Sequence, residues 1–191
     1  MLFYYQSKHK NKETRGIRMY HVISTEQHDI HRFHITIDQI EKEGKTYTFS
    51  YANFLDGITV IPFLSNNEVL LLREYRHAIK SWQYQFPSGM IEAGEEPAET
   101  ARKEIAEETG YECADLIYLG YMYPSFGSTT EKIHLFAAKL GAPAKDCAKE
   151  ALEEITTETV TVEKLEAMMN ENQFTHAAGL VAWLKWKIRE Q

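Results

Sequence analysis

Seven glutamates fall within residues 89–111, GMIEAGEEPAETARKEIAEETGY. Pro97 suits the first position of a helix, where no amide hydrogen is needed, and Gly110 suits the left-handed residue that ends one. We therefore predict a helix over 97–109, called here the glutamate helix. Its predicted buried stripe, from residues spaced by three and four, contains Ala98, Ala101 and Ile105. The remaining surface of this helix must accommodate a dense negative charge.

Three of the glutamates are expected to share one surface. At helical spacing, Glu104, Glu107 and Glu108 fall on an arc of about 100° beside the buried stripe. Like charges at i and i+4, such as Glu104 and Glu108, destabilise a bare helix, and no basic residue shares the arc. Glu95, in the preceding turn, could fold back toward them. A solvated acidic face is the alternative, but a hard divalent cation, which requires oxygen ligands, explains the clustering better.

The composition limits the classes of partner. The 191 residues include 28 acidic and 21 basic side chains, for a formal net charge of -7. Nucleic acid would meet a repulsive average field, so we expect no nucleic-acid partner. No apolar run reaches the length of a membrane span or of a secretion signal, so we expect no membrane partner and a cytoplasmic location.

The chain divides into three predicted parts. Residues 1–19 carry scattered basic residues and are predicted to be a flexible extension. In 20–55 the segments YHVIS, FHITI and TYTFSY alternate apolar and polar residues, which predicts a small antiparallel β-lobe. The rest, 56–191, forms the main domain, whose segments ITVIPFL and EVLLLREY are apolar enough to be buried on both faces.

Further strands and two helices complete the predicted main domain. After the glutamate helix, LIYLGYMY, KIHLFAAKL and TTETVTV read as strands. Helices follow near 163–170 and 176–189. The apolar stripe of the last helix predicts packing in the core or in a dimer. It contains Ala177, Leu180, Val181, Leu184 and Ile188, with Trp183 and Trp186 completing or flanking it.

The glutamate segment resembles the Nudix box, G-x5-E-x7-R-E-U-x-E-E-x-G-U, in which U is a bulky apolar residue. The matching positions are Gly89, Glu95, Glu104, Ile105, Glu107, Glu108, Gly110 and Tyr111. Lys103 stands where the family has arginine, which keeps the charge but loses the planar two-pronged donor. The resemblance implies an α+β fold, an αβα sandwich around a mixed sheet, preceded here by the β-lobe. It also implies hydrolysis of a nucleoside diphosphate linked to another group.

The resemblance also assigns roles within the box. Glu104 and Glu108 would be metal ligands, and Glu107 would share that work or bridge through water, acting in both metal binding and catalysis. The carbonyl of Gly89 would join the metal. The implied cofactor is Mg²⁺, with Mn²⁺ as the alternative.

From about residue 20 onward the chain resembles the ADP-ribose and nucleotide-sugar pyrophosphatases. In LLREYRHAIKSWQYQFPSG, Arg76 matches an arginine that would hold a substrate phosphate, although a surface ion pair would also explain it. Gln85 replaces the usual glutamate and Ser88 the usual alanine. No ligand role is therefore carried over to position 85.

Two later segments extend this resemblance. In SFGSTTEK, Glu131 matches a glutamate that binds metal or activates water, with a strand-edge carboxylate as the alternative. Phe126 stands where members that prefer ADP-ribose have proline, and it could stack on a base, as a substrate-binding residue, or pack under the loop. The run KEALEE offers Glu150, Glu153 and Glu154 as the catalytic base, with Glu153 favoured.

The resemblance favours ADP-ribose as substrate, giving AMP and ribose 5-phosphate. Another nucleotide sugar, such as GDP-mannose, is the first alternative. A Nudix domain that senses a ligand without turnover is the second: the intact glutamates favour catalysis, whereas Lys103 favours the sensor. The subfamily also implies a homodimer that exchanges N-terminal strands.

Overall fold

The near-continuous apolar segments lie at the centre of the protein, as their composition requires. The computed structural model describes residues 20–144 and 155–190. The predicted extension, residues 1–19, and the candidate bases in KEALEE, including Glu153, lie outside the described residues.

The N-terminal residues form a separate three-stranded antiparallel sheet, which confirms the predicted β-lobe sheet. Its strands, in spatial order, are β1 (His21–Ile30), β2 (Phe33–Lys42) and β3 (Lys45–Asn53). The sheet is thin and largely exposed, because no second layer covers it in the described part of the chain. The end of β3 is tied to the main domain at Ala52, whose N–H donates to the Ser128 carbonyl at 2.9 Å and whose carbonyl accepts from Thr130 N–H at 3.1 Å.

The main domain contains a seven-stranded mixed sheet. Its path runs β10-β5-β4-β9-β8, with β6 paired to β5 and β7 paired to β4. Strands β4 and β9 are parallel, and the other pairs are antiparallel. The strands are β4 (Gly57–Ser65), β5 (Glu68–Arg76), β6 (Ser81–Gln85), β7 (Ser88–Met90), β8 (Tyr111–Met122), β9 (Ile133–Pro143) and β10 (Ile155–Thr161).

Helices cover both faces of this sheet and complete the predicted αβα sandwich. On one face α1 (Pro97–Glu104) packs through Ala101, and the turn after it through Ile105, against apolar side chains such as Val60. On the other face α2 (Val162–Asn170) and α3 (Ala177–Arg189) enclose a second core cluster. Alternate residues of β4 and β5 enter the two clusters, which is why these strands are apolar at nearly every position.

The glutamate helix has the predicted ends but a different last turn. After α1 a π-helical turn, Ile105–Thr109, continues to Gly110, whose φ of 76° is the left-handed stop. The Thr109 hydroxyl donates to the Ile105 carbonyl, and this local bond competes with the regular backbone pattern. Single π turns inside helices are frequent at functional sites. Ala98, predicted to be buried, is exposed, and Thr100 is buried in its place.

The predicted stripe of α3 faces the core only in part. Leu184 and Ile188 are exposed, whereas Trp183 is buried and Val181 and Trp186 pack against the core cluster. Small residues on the buried face let the helix approach the sheet closely, and the Trp183 ring fills the remaining space beside Phe63. The core interpretation is therefore wrong for the exposed leucine and isoleucine, whose dimer interpretation stays a prediction. None of the helices in residues 20–144 and 155–190 has the length and apolarity needed to cross a membrane.

Candidate functional site

A cavity of about 580 Å³ lies where the start of β4, strand β7 and the end of the glutamate helix meet. The topology brings these elements together because β7 pairs with β4 and α1 packs against both strands. The cavity wall contains six of the predicted site residues: Arg76, Gly89, Glu104, Glu107, Glu108 and Glu131. The fold therefore brings these residues to one cavity, whereas the roles assigned to them stay predictions.

Gly89 leaves room for a carboxylate. A Cβ atom built on Gly89 would lie 2.0 Å from Oε1 of Glu104. Any side chain at this position would therefore displace the Glu104 carboxylate. The first glycine of the motif has a local physical reason, since it lets an acidic side chain pack directly against the backbone of β7.

Glu108 is fixed by the same strand. It is only 6% exposed, and one of its oxygens accepts a hydrogen bond from the Ser88 N–H at 3.0 Å. The Ser88 hydroxyl is in turn bonded to the Phe86 carbonyl at 3.0 Å and to the Thr59 hydroxyl at 2.9 Å. The serine that replaces the usual alanine thus braces the strand that holds Glu108, rather than projecting a free hydroxyl into the cavity.

The donor set fits a hard cation. Within residues 20–144 and 155–190, no group of three or more His, Cys, Asp or Glu side chains is arranged so that it could hold a metal ion by itself. Mg²⁺ commonly takes one or two carboxylates and completes its shell with waters and substrate phosphates, so a partial set of oxygen donors is sufficient. Glu104, Glu107 and Glu108 supply such oxygens at one cavity wall, and Gly89 provides the space in which the Glu104 carboxylate lies.

Arg76 is held by two polar side chains, one on β5 and one on β6. Its Nη1 lies 3.0 Å from Oε1 of Glu74, and its Nε donates to Oε1 of Gln85 at 3.0 Å. The amide of Gln85 also donates to Glu74 at 2.8 Å, so the three side chains are bonded to one another. Glu74 and Gln85 are buried, whereas the Arg76 side chain is 45% exposed and lines the cavity. The ion pair and a place in the cavity wall therefore coexist, and phosphate binding by Arg76 stays a prediction.

Glu131 faces the cavity in a partly buried setting. Burial raises the pKa of its carboxyl, and the nearby negative charge of Asp56 raises it further. Asp56 itself bonds to the ammonium of Lys132 at 3.1 Å. A carboxylate with a raised pKa accepts a proton more readily near neutral pH, which suits a general base.

A family model described as the NUDIX domain matches residues 54–184. The chain belongs to the Nudix family. A GDP-mannose pyrophosphatase of Cronobacter sakazakii is 33% identical over 147 residues, which cover 72% of this chain and 73% of that protein. A methanol dehydrogenase activator of Bacillus methanolicus is 32% identical over 106 residues, covering 55% of this chain and 57% of that protein. The matched part spans about half the length of several such relatives.

A solved structure of an ADP compounds hydrolase has the same fold. The TM-score is 0.79 at 20% sequence identity, and the match covers 93% of this chain and 96% of the other. Because the match includes most of the chain, the Nudix fold here comprises both the sandwich and strands N-terminal to it.

Lys103 in this Nudix box lies beside the glutamates, and its side chain lines the same cavity. The negative charge of Glu107, then that of Glu95, raises the pKa of the Lys103 ammonium, and Nζ lies 3.9 Å from Oε1 of Glu95. The expectation that no basic residue relieves the acidic arc is therefore wrong. The side chain of lysine is long enough to reach across from the neighbouring face of the helix.

Glu95 folds onto the start of the helix rather than into the cavity. Its carboxylate accepts from the Thr100 hydroxyl at 2.9 Å and from the Glu92 N–H at 3.4 Å. Phe126 is 86% exposed and does not line the cavity. It does not pack under its loop in the described structure, so contact with a base stays a prediction.

His176 lines the cavity and was not predicted from the sequence. Its Nδ1 accepts a hydrogen bond from Phe86 N–H at 3.4 Å. Burial lowers the pKa of His176 to about 4, and the positive charge of Arg76 contributes. The sequence contained one indication of this position, Gly179, because a glycine in the first turn of a helix is typical of a place where another side chain packs closely. A Cβ there would lie 2.8 Å from the Phe174 ring and 3.0 Å from Nδ1 of His176.

Gly89→Ala should weaken metal binding with little effect on folding. The new Cβ meets the end of a flexible side chain, so Glu104 can rotate away at a cost below about 1 kcal/mol in the free energy of unfolding. Displacing a carboxylate from the site should lower Mn²⁺ affinity by at least about tenfold. Calorimetric titration and urea denaturation measure the two quantities. In a Glu104→Ala background, Gly89→Ala should cause no further loss of Mn²⁺ affinity. An equal loss of affinity in that background would contradict the contact between Gly89 and Glu104.

His176 should make folding stability depend on pH between about 4 and 6.5. In this range the unfolded chain binds a proton at His176 that the folded protein does not, so the free energy of unfolding falls as the pH falls. The contribution amounts to up to about 3 kcal/mol. His176→Asn keeps an acceptor for the Phe86 N–H without titrating. The difference between wild type and variant in urea denaturation should therefore change across this window, and parallel curves would refute the assignment.

Proposed function

We propose that the protein is a divalent-metal-dependent hydrolase of the pyrophosphate bond in nucleoside diphosphate sugars. The observation that carries this proposal is a single cavity with the carboxylates of Glu104, Glu107 and Glu108 and the guanidinium of Arg76 in its wall. A diphosphate brought among carboxylates needs cations between them, and a guanidinium complements phosphate oxygens. ADP-ribose is the leading substrate, with AMP and ribose 5-phosphate as products.

The printed names of the relatives support this substrate class. The similarity to a GDP-mannose pyrophosphatase extends over nearly three quarters of each chain. An ADP-ribose pyrophosphatase of Haemophilus influenzae is 31% identical over 108 residues. GDP-mannose and related nucleotide sugars are therefore the alternative substrates to be tested beside ADP-ribose.

The box residues have separate roles in the proposal. Glu104 and Glu108 would hold Mg²⁺ or Mn²⁺, with the Gly89 carbonyl as a further donor and Glu107 bound directly or through water. The metal, when bound, would supply charge stabilisation for the departing phosphate and acidify a water. Glu131, with its raised pKa, and Glu153 are the candidate bases that take the proton of the attacking water.

A ligand-sensing module is the second candidate function. Lys103 lacks the two-pronged donor of arginine, although it neutralises the same carboxylates. One of the relatives, the methanol dehydrogenase activator, is named for activating another enzyme. The intact set of glutamates favours catalysis over sensing.

Turnover of nucleotide sugars tests the proposal directly. With Mg²⁺ present, the purified protein should release a nucleoside monophosphate from ADP-ribose or another member of a panel. Glu108→Gln keeps an oxygen that can accept from Ser88 N–H but removes the charge, so kcat/KM should fall at least about 100-fold. Product release that is equal in wild type and Glu108→Gln across the panel would eliminate the hydrolase and leave the sensor.

The β-lobe is proposed to form a homodimer. Val22, Tyr47 and Phe49 lie on one face of its sheet and are 44%, 49% and 47% exposed. Such apolar side chains on a thin sheet are typical of a surface that another chain covers. This contact would also set the shape of the substrate cavity if strands are exchanged.

Sedimentation should show a dimer at micromolar concentration. Replacing both Tyr47 and Phe49 with lysine should give a monomer, because charges would be buried at the contact. Thr46 and Thr48 lie on the opposite face of the same strand, so lysine at both should leave the dimer intact. A wild-type monomer, or equal effects of the two double substitutions, would contradict the proposal.

A further inference from the structure

The wall of the cavity holds a neutral hydrogen-bond donor whose orientation is fixed. Phe86 N–H donates to Nδ1 of His176, so Nδ1 carries a lone pair. A neutral imidazole then has its hydrogen on Nε2. The low pKa of His176, caused by burial and by Arg76, keeps the ring neutral at pH 7. His176 therefore presents an Nε2–H donor without an added positive charge.

This donor is open to the cavity. Among the described residues, no protein group forms a hydrogen bond with Nε2. Every buried side-chain nitrogen or oxygen in these residues has a hydrogen-bond partner, so Nε2, which has none, is not buried. Because His176 lines the cavity, the Nε2–H is accessible to a bound molecule. A donor that is protected from titration and has no partner within residues 20–144 and 155–190 is suited to a ligand oxygen.

The ring is held in place before any ligand binds. Phe174 packs on Phe86 with ring centroids 4.8 Å apart, and the His176 ring contacts Phe174 edge-on at 6.3 Å. The absence of a side chain at Gly179 lets Phe174 and His176 approach the first turn of α3. A rigid donor loses little entropy when it forms a hydrogen bond, so the geometry favours recognition.

Arg76 supplies further donors in the wall of the same cavity as His176. Of its five N–H groups, one on Nε, one on Nη1 and one on Nη2 are directed to Gln85 and Glu74. The remaining N–H groups can bind a ligand. A phosphate oxygen of the proposed substrate is an acceptor that a guanidinium and a neutral N–H donor in one cavity wall can share.

We propose that His176 is a substrate-binding residue whose Nε2–H donates to an oxygen of the diphosphate that Arg76 also contacts. This inference rests on the proposed function, because it assigns a ligand atom in the same cavity. It adds a residue outside the glutamate helix and places it on the segment leading into α3.

Two variants separate this role from a purely structural one. In His176→Asn the side-chain oxygen can replace Nδ1 as acceptor for Phe86 N–H, but nothing replaces Nε2. In His176→Gln the amide nitrogen can reach the position of Nε2, while the acceptor at Nδ1 is lost. Substrate binding predicts that asparagine raises KM about tenfold with kcat nearly unchanged and folding stability at pH 7 retained. It also predicts that glutamine keeps KM within about threefold of wild type at reduced stability.

The opposite pattern would overturn the inference. A structural role predicts normal KM for His176→Asn and a larger defect for His176→Gln. The increase in KM should also be the same for ADP-ribose and GDP-mannose, since both contain the diphosphate. An increase confined to one substrate would assign Nε2–H to a base or sugar and refute the diphosphate contact.

A binding measurement makes the test independent of turnover. Calorimetry with a nucleotide sugar whose bridging oxygen is replaced by methylene should show about tenfold weaker binding to His176→Asn than to wild type. Wild-type turnover combined with equal affinities of the two proteins would overturn this inference alone. A wild-type protein that neither hydrolyses nor binds any member of the panel would overturn the proposed function together with it.

Discussion

The approach of the Glu104 side chain to the backbone of Gly89 is the contact on which the site depends. It requires a position without a side chain on β7, where the end of the glutamate helix meets that strand. The hydrogen bond from Ser88 to Glu108 adds a second tie between the same elements. Of two carboxylates that repel each other, Glu108 is thus held by a backbone donor, and Glu104 lies in the space that Gly89 leaves.

These contacts explain why a buried acidic residue is tolerated. Glu108 loses most of its hydration, which is unfavourable for a charged group unless donors replace the water. The backbone of β7 provides one donor, and Lys103 contributes positive charge to the neighbouring carboxylates at the mouth of the cluster. The arrangement is stable enough to form within the fold and retains carboxylate oxygens at the cavity wall.

Much of the fold follows from sequence periodicity and from a few turn residues. The alternating pattern of residues 20–55 produces an exposed sheet, and the continuous apolar pattern of β4 and β5 produces strands buried on both faces. Pro97 and Gly110 mark the ends of the glutamate helix as expected. The stripe of α3 misled the prediction because close packing selected small residues, and hydrophobicity alone does not report which face can approach the sheet.

The site was predictable where the residues are close in sequence and less so where the fold assembles them. Spacing alone groups Glu104, Glu107 and Glu108, but the reach of Lys103 depends on its flexible side chain. Arg76 required family resemblance. His176 comes from a distant segment, and only the packing of Gly179 against Phe174 explains its position.

Gln85 has a consequence for the electrostatics of the cavity. The group formed by Arg76, Glu74 and Gln85 contains one positive and one negative side chain, with a neutral amide bonded to both. A glutamate at position 85 would give this group a net negative charge, whereas the amide leaves it balanced. Its oxygen and nitrogen also cannot exchange places, because each faces a partner of opposite hydrogen-bonding character. Gln85 thus links Arg76 and Glu74 without adding a negative charge that would repel an incoming anion.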